Sequence, residues 1–530
     1  MKTPLRILFP SLCLAVLPFL AAPCHGNEPD PDDRPPNILF IAIDDLKPIL
    51  GSMAEDPGNF LNRIYPDPGT RNAIKEILTP NIDRLGSQGI NFHRAYCPSS
   101  VCRPSRTALL TGYRPHVSGV TSNSDGYFRL PDKPQFLREV VTLPQYFKEH
   151  GYVTYGTGKL FHTGGDDEAD PELSWTTWFN KAPAPEDIGK RSRNEWAPPR
   201  DRHAKMIFGT DSGPVEGQPD YGNADLIARL LTEGQVNVGN RSARISPDQP
   251  FFLGCGIFRP HLPHFAPQEL VDLFDIDDIQ VNRETLDTFF NDMDDVEGWR
   301  PKSRFDGPLG DVLEWGLELG KKRGLEEGDI RAYKEALRHY LACSALADRC
   351  VERLLDALAE SPYADNTIVV LWSDHGWYLG EKYLFLKTRI WDEASNCVLV
   401  IHDPRPGREA AGSPCYIPVN LQDLYPTLAS LAGLKRPDHV AGVDISPLLK
   451  DPATEWPVPA LTTWGDGEAI RFGEWAYLRY GQDPNRVELY NVREDPDEMT
   501  NLARQPEYKD RLAELDALLN CALQGDRFGQ

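Results

Sequence analysis

Three short apolar runs each end abruptly on polar residues, and those endings organise the chain. Asn37-Ile-Leu-Phe-Ile-Ala-Ile43 stops at Asp44-Asp45, Phe251-Phe-Leu-Gly-Cys-Gly-Ile257 leads to Arg259-Pro260-His261, and Thr367-Ile-Val-Val-Leu-Trp372 stops at Ser373-Asp374-His375. A weaker run, Tyr152 to Tyr155, leads into Gly158-Lys159 and then His162. Continuous apolar runs of this length fit strands buried on both faces, as in parallel sheets flanked by helices. Helical patterns lie between them, over Leu143 to His150 and along the amphipathic stretch Asp329 to Glu360. Open sheets of this class bind ligands beyond the carboxyl ends of their strands. One rim is therefore expected to gather acids, histidines and a lysine, which points to an enzyme.

Outside these elements the pattern weakens. Residues 164–222 are rich in Gly, Pro, Asp and Trp, and residues 272–328 are acidic and irregular. Both are expected to be insertions, and loops of that length usually serve as lids or specificity elements. From 456 onward, short strands at Ala476–Tyr480 and Val487–Tyr490 and a helix over 505–522 predict a small C-terminal α+β subdomain. The expected division is a catalytic domain over 36–455 followed by this subdomain over 456–530. The first residues carry Lys2 and Arg6, an apolar run from Ile7 to Ala22, small residues Ala21-Ala22 and then a proline-rich stretch. That pattern predicts a cleaved signal peptide over 1–26, since the run is short for a membrane span. The product is expected to be periplasmic or secreted, with no stable membrane insertion after cleavage.

Composition narrows the function. The chain has 530 residues, 40% hydrophobic and 25% charged, which fits a globular protein with a sizeable core. Its formal net charge of −23 argues against nucleic acid as a partner, because phosphate contacts need a basic face. An anionic substrate would need a local basic pocket. Of the 10 cysteines, Cys13 and Cys24 fall in the signal segment. The remainder are too sparse for a disulfide scaffold and form no C-x-x-C zinc pair.

The chemistry concentrates in a few constellations. Adjacent acids at a strand end repel unless a cation neutralises them, so Asp44-Asp45 with Asp374-His375 suggests a hard divalent ion. Any single pair could equally serve as a turn or helix cap. Calcium is favoured, with magnesium and manganese open because of the histidine. In "CPSSVCRPSRTALLTG", residues 97–112, Cys102 opens an expected helix that stops at Gly112. There it meets unpaired backbone N–H groups and the charge of Arg106, a setting for a reactive group or an anion. Pro104 suits an early helical position, which needs no N–H donor. Lys159, His162, His261 and Lys387 each have an ordinary structural alternative and gain weight only together with Cys102.

Cys102-Arg103-Pro104-Ser105-Arg106 with Leu110-Thr111-Gly112 resembles the signature of the type I, formylglycine-dependent sulfatases. Similar stretches span nearly the whole chain: "PNILFIAIDDLKP" at 36–48, "TPNIDRLGSQGINFHRAYC" at 79–97, "GYVTYGTGKLFH" at 151–162, "SDHGWYLGE" at 373–381 and "ELYNVREDPDEMTNLA" at 488–503. "DDLKP", "RPHLP" and "DHGW" are most similar to the iduronate-2-sulfatase-like members. Arg103 stands where the family often has a small residue.

The resemblance implies an α/β, alkaline-phosphatase-like large domain with a mostly parallel sheet. It implies that a maturation enzyme oxidises Cys102 to formylglycine, and that Asp44, Asp45, Asp374, His375 and residue 102 hold the ion, expected to be Ca2+. One hydroxyl of the hydrated aldehyde would attack sulfur. His261 and Lys387 would bind the sulfate and assist the leaving oxygen. His162 would take a proton from the second hydroxyl, and Arg106 and Lys159 would orient the hydrate and compensate charge. Trp377 is a candidate sugar-stacking platform, as are Trp175, Trp178 and Trp196. The expected substrate is a sulfated saccharide, with a 2-O-sulfated uronic acid favoured. The alternatives are a phosphonate or phosphate-ester hydrolase of the same superfamily and a catalytically silent glycan-binding protein.

Overall fold

A computed structural model describes residues 34–525 apart from 163–168, 181–188, 200–205, 299, 408–409, 482 and 484. The expected signal segment therefore lies outside the described residues. The main sheet has eight strands: β1 (Asn37–Ile43), β2 (Ile90–Phe92), β3 (Val153–Gly158), β4 (Thr177–Phe179), β5 (Phe251–Ile257), β6 (Thr367–Ser373), β7 (Leu399–His402) and β8 (Pro414–Cys415). Their spatial order is β8-β2-β7-β6-β1-β5-β3-β4. Strands β6, β1, β5, β3 and β4 run parallel, while β7 is antiparallel to β6 and to β2. The four apolar runs read from sequence are thus adjacent, and their carboxyl ends share one rim.

Alternation along β1 shows why the sheet is buried on both sides. Ile38, Phe40 and Ala42 pack with Leu109, Leu143 and Phe147 on one face. Leu39, Ile41 and Ile43 pack on the other with Ile227 and Leu230 of helix Pro219–Glu233 and with Val351 and Leu354 of helix Gly328–Ala359. Side chains of a strand point alternately to opposite faces, so an apolar residue at every position requires a layer of helices on each.

The two expected insertions are more ordered than their composition suggests. Residues 272–328 contain helices Arg283–Asn291 and Gly307–Arg323. The second of these carries four glycines, which disfavour helix in isolation. Two of them admit a close neighbour: a Cβ on Gly316 would lie 2.5 Å from the Gly328 carbonyl oxygen, and one on Gly320 would lie 2.8 Å from the Gly328 Cα. Tertiary contact with the long helix overrides propensity here. Within 164–222, Thr177–Phe179 forms the edge of the main sheet, and Trp175 and Trp178 pack into the core beneath it.

From Ala460 the chain builds a four-stranded antiparallel sheet, followed by helix Lys509–Gly525. Leu515 and Leu519 of this helix pack on Leu461, Ile470 and Leu489 of the sheet. Residues from Pro36 onward form one compact unit, and the antiparallel sheet begins within it at Ala460. No helix among the described residues is long and apolar enough to cross a membrane.

Candidate active site

Strand ends deliver most of the predicted residues. Asp44 and Asp45 follow β1, Lys159 and His162 follow β3, His261 follows β5, and Asp374 and His375 follow β6. Asp45 sits in the left-handed region at φ 62°. Its N–H donates to Asp374 Oδ1 (3.1 Å) and its carbonyl accepts from the Tyr340 hydroxyl (2.8 Å), which hold a conformation that a non-glycine residue seldom adopts. Tyr340 was not singled out from sequence, because nothing in its helical neighbourhood marks it. It positions Asp45 from the long helix without touching the cluster's centre.

Helix Cys102–Thr111 closes the site from the other side. Val101 precedes it in extended conformation without a side-chain cap, and Gly112 ends it at φ 78°. Pro104 is its third residue, within the first turn, where backbone N–H groups have no intrahelical partner. The Ser105 hydroxyl donates to the Asp374 carbonyl (2.6 Å) and ties the helix to the end of β6. Arg103, the departure from the family pattern, donates from Nε to the Asn123 carbonyl (2.9 Å).

Arg106 is completely buried and joins two strand ends, donating from Nε to Asp374 Oδ2 (2.8 Å) and from Nη2 to Asp44 Oδ1 (3.1 Å). It also donates to the carbonyls of Lys159 and Leu160. Lys159 forms a close ion pair with Asp44 Oδ2. Lys387 Nζ lies 2.7 Å from Asp45 Oδ1 and 2.8 Å from Cys102 Sγ. His375 Nε2 lies 3.4 Å from the same sulfur and 3.2 Å from Asp45 Oδ1, and His261 Nε2 lies 3.8 Å from Asp45 Oδ2.

Charge in this cluster is close to balanced. Three carboxylates, Asp44, Asp45 and Asp374, face Arg106, Lys159 and Lys387. Burial pushes the Cys102 thiol up, but Lys159 and Lys387 outweigh it and bring it down to about 6. Burial likewise opposes ionisation of Asp44, yet Lys159, His261 and Arg106 hold it well below the usual carboxylate range. For His162, burial, Lys159 and Arg103 all act in one direction and lower the imidazole to about 3. That leaves His162 a neutral ring beside cationic neighbours.

The donor set fits a divalent cation. Asp45, Cys102, Asp374 and His375 present ligand atoms within 4.8 Å of one another, and Asp44 and His261 join Asp45 and Cys102 in an overlapping group. Asp45 Oδ2 is buried without a hydrogen-bond partner. His375 Nδ1 faces the Gly376 carbonyl at 2.8 Å and so carries the hydrogen, leaving Nε2 turned toward Asp45 and Cys102. With an ion present, the balanced cluster becomes net positive and suits an anionic group.

Burial would lower the His375 imidazole, but Asp374 and the other nearby anions outweigh it and raise it to about 10. A cation held by His375 Nε2 would have to displace that proton. Chelation is therefore expected to abolish activity, with recovery on adding back a divalent ion. Below that value the apparent affinity should fall as pH falls, approaching about tenfold per pH unit for one displaced proton. Calorimetric titration of the chelated protein in buffers of different ionisation enthalpy would detect the released proton. Metal binding with no proton release would exclude His375 as a ligand.

The tryptophan expectations are corrected. Trp377 is only 1% exposed, stacks on Tyr340 at 6.2 Å, and has Lys387 Nζ 5.7 Å from its ring centroid. It is a core residue that supports the site and offers no open face to a sugar. Trp175, Trp178 and Trp196 are buried in the same way.

The chain is similar to known proteins in sequence and in fold. The Sulfatase family model matches residues 36–434, and the model described as N-sulphoglucosamine sulphohydrolase, C-terminal, matches residues 380–524. A sulfatase of Formosa agariphila is 32% identical over 491 residues, covering 91% of this chain and 86% of its own. Human iduronate 2-sulfatase is 28% identical over 436 residues, covering 76% of this chain and 70% of its own. A solved structure described as a 2-O GAG sulfatase shares the fold, with a TM-score of 0.62, 21% identity and 93% of each chain covered.

Proposed function

The chain belongs to the sulfatase family and is a sulfuric ester hydrolase, and from that premise we propose that it is an exported enzyme acting on a sulfated glycan through a nucleophile made from Cys102. The carrying observation is the position of Cys102 Sγ, at a helix N-terminus between Lys387 Nζ and His375 Nε2 and beside three carboxylates that fit a metal. Maturation of Cys102 to formylglycine would supply, as the hydrate, two hydroxyls on one carbon in place of a thiol. Asp44, Asp45, Asp374 and His375 would hold the ion, favoured as Ca2+, whose charge would draw the sulfate oxygens and offset negative charge.

The other residues take distinct tasks. Lys387 and His261, from different loops, face the Cys102 side chain and would bind the sulfate. His261 is raised because Asp45 and Asp44 outweigh burial, which suits a proton donor to the departing sugar oxygen. Neutral His162 would accept the proton of the second hydroxyl, so that sulfate leaves and the aldehyde is restored. Arg106 and Lys159 hold Asp44 and Asp374 in place and keep the pocket from becoming anionic.

The human relative named iduronate 2-sulfatase and the structural neighbour described as a 2-O GAG sulfatase support a 2-O-sulfated uronic acid. A panel of defined saccharides tests this. Release of sulfate from a 2-O-sulfated uronate disaccharide should exceed release from a 6-O-sulfated glucosamine by at least tenfold in kcat/KM, which corresponds to about 1.4 kcal/mol. Preference for the glucosamine would overturn the substrate assignment, and faster cleavage of phosphate or phosphonate esters would favour the other branch of the superfamily.

A further inference from the structure

A cavity of about 680 Å3 shares no residue with the cluster around Cys102. Its walls come from the segment after β1, from residues 392–396, 416–418 and 453–456, and from the C-terminal sheet near Gly473 and Val492. Seven carboxylates line it against three Lys or Arg side chains. A sulfated or uronate unit would be repelled there.

Most of those acids are already engaged. Glu381 pairs with Lys47 at 2.8 Å, Asp497 with Arg63 at 2.8 Å, and Asp392 accepts from the Tyr96 hydroxyl at 2.8 Å. Asp56 pairs closely with His93. They do not form an open cation site.

Three buried lining atoms do lack a protein partner: Glu393 Oε2, Asn396 Oδ1 and Arg94 Nη2. The Asn396 amide is oriented by its Nδ2, which donates to the His93 carbonyl and to Asp392 Oδ2, each at 3.2 Å. Arg94 is held by Gly473 and Tyr96. An unmet buried polar group is costly, so a ligand with several hydroxyls would satisfy acceptors and donor together.

The mouth adds aromatic surface. Tyr416 is 51% exposed, yet it is braced: its hydroxyl donates to Asp56 Oδ1 (3.0 Å) and its ring packs on His93 at 4.7 Å. Trp456 lines the same cavity. Aromatic faces beside oriented hydrogen-bonding groups match the apolar and hydroxylated faces of a sugar ring.

We propose that this cavity binds an uncharged, hydroxyl-rich sugar unit at a second site, separate from the hydrolytic one. The sugar is either a free monosaccharide or an unsulfated unit of a longer chain. Saturation-transfer NMR on the full chain tests this with glucose, galactose, xylose and lactose as probes. Saturable binding is expected, retained in Cys102→Ala and weakened at least about tenfold in the pair Tyr416→Ala and Trp456→Ala. Ala453→Trp, at an exposed lining position, should block the cavity without disturbing the core.

Binding of monosaccharides would identify a free-sugar site, and binding of lactose alone a chain-unit site. No saturable signal up to about 100 mM, a signal unchanged in the variants, or stronger binding of tetramethylammonium or a sulfated sugar would overturn the proposal. Loss of the signal in Cys102→Ala would also overturn it, by placing the sugar in the hydrolytic site. A failure of binding with sulfatase turnover intact would leave the assignment of the hydrolytic site standing.

Discussion

Cys102→Ala is expected to lower sulfate-ester hydrolysis by on the order of 10^4-fold or more, while the protein stays folded. The contacts that alanine would remove are all within the site: Lys387, His375, Asp45 and His261. Those contacts define its chemistry: Lys159 and Lys387 bring the unmodified thiol to about 6, so the site stabilises negative charge at that side chain. The same field would stabilise an oxygen losing its proton as it attacks sulfur. Mass analysis of the tryptic peptide Ala95 to Arg106, from a host that matures sulfatases, provides the companion measurement. It should show the thiol replaced by an aldehyde. An intact thiol in fully active enzyme would remove the proposed nucleophile, and full activity of Cys102→Ala would do so independently.

Arg106→Met should cost both activity and stability. The guanidinium is wholly buried, and its fork spans Asp44 and Asp374 from different strands. Removing one partner of a buried ion pair leaves an uncompensated charge, a loss of about 3–5 kcal/mol. Here two carboxylates and two backbone carbonyls lose a donor together. Arg106→Lys would restore charge but not the planar fork, so it should recover only part of the loss. Chemical denaturation of both variants, in chelated and metal-loaded forms, gives the readout. Added metal should recover part of the stability lost in Arg106→Met, because a cation can neutralise the stranded acids. Wild-type stability in Arg106→Met would show that the guanidinium is dispensable to the scaffold.

Much of the candidate site was legible because polar residues end apolar strands. Asp44-Asp45, Asp374-His375, Lys159 and His261 stand out against Ile43, Trp372, Gly158 and Ile257, where a buried run stops and side chains reach a rim. Lys387 was visible only through the resemblance. It lies between Leu386 at φ 84° and Thr388 at φ 82°, a backbone course that no local sequence pattern announces. The tryptophans misled because an aromatic residue in a polar stretch reads as exposed, whereas Trp377 has Tyr340 and Lys387 packed against its faces.

Legible from the residues alone are the parallel strand pattern, the long amphipathic helix, the strands and helix of the C-terminal segment and the polar residues at the strand ends. Each follows from periodicity or from a local motif, and such signals act over a few residues. Folding in three dimensions is what makes Tyr340 hold Asp45, sets Arg106 across two strand ends, and turns Gly316 and Gly320 into a close helix crossing. It alone brought Glu393, Asn396 and Arg94 to one cavity. These are pairings between segments up to hundreds of residues apart, and their partners are selected by shape and burial after the chain has folded.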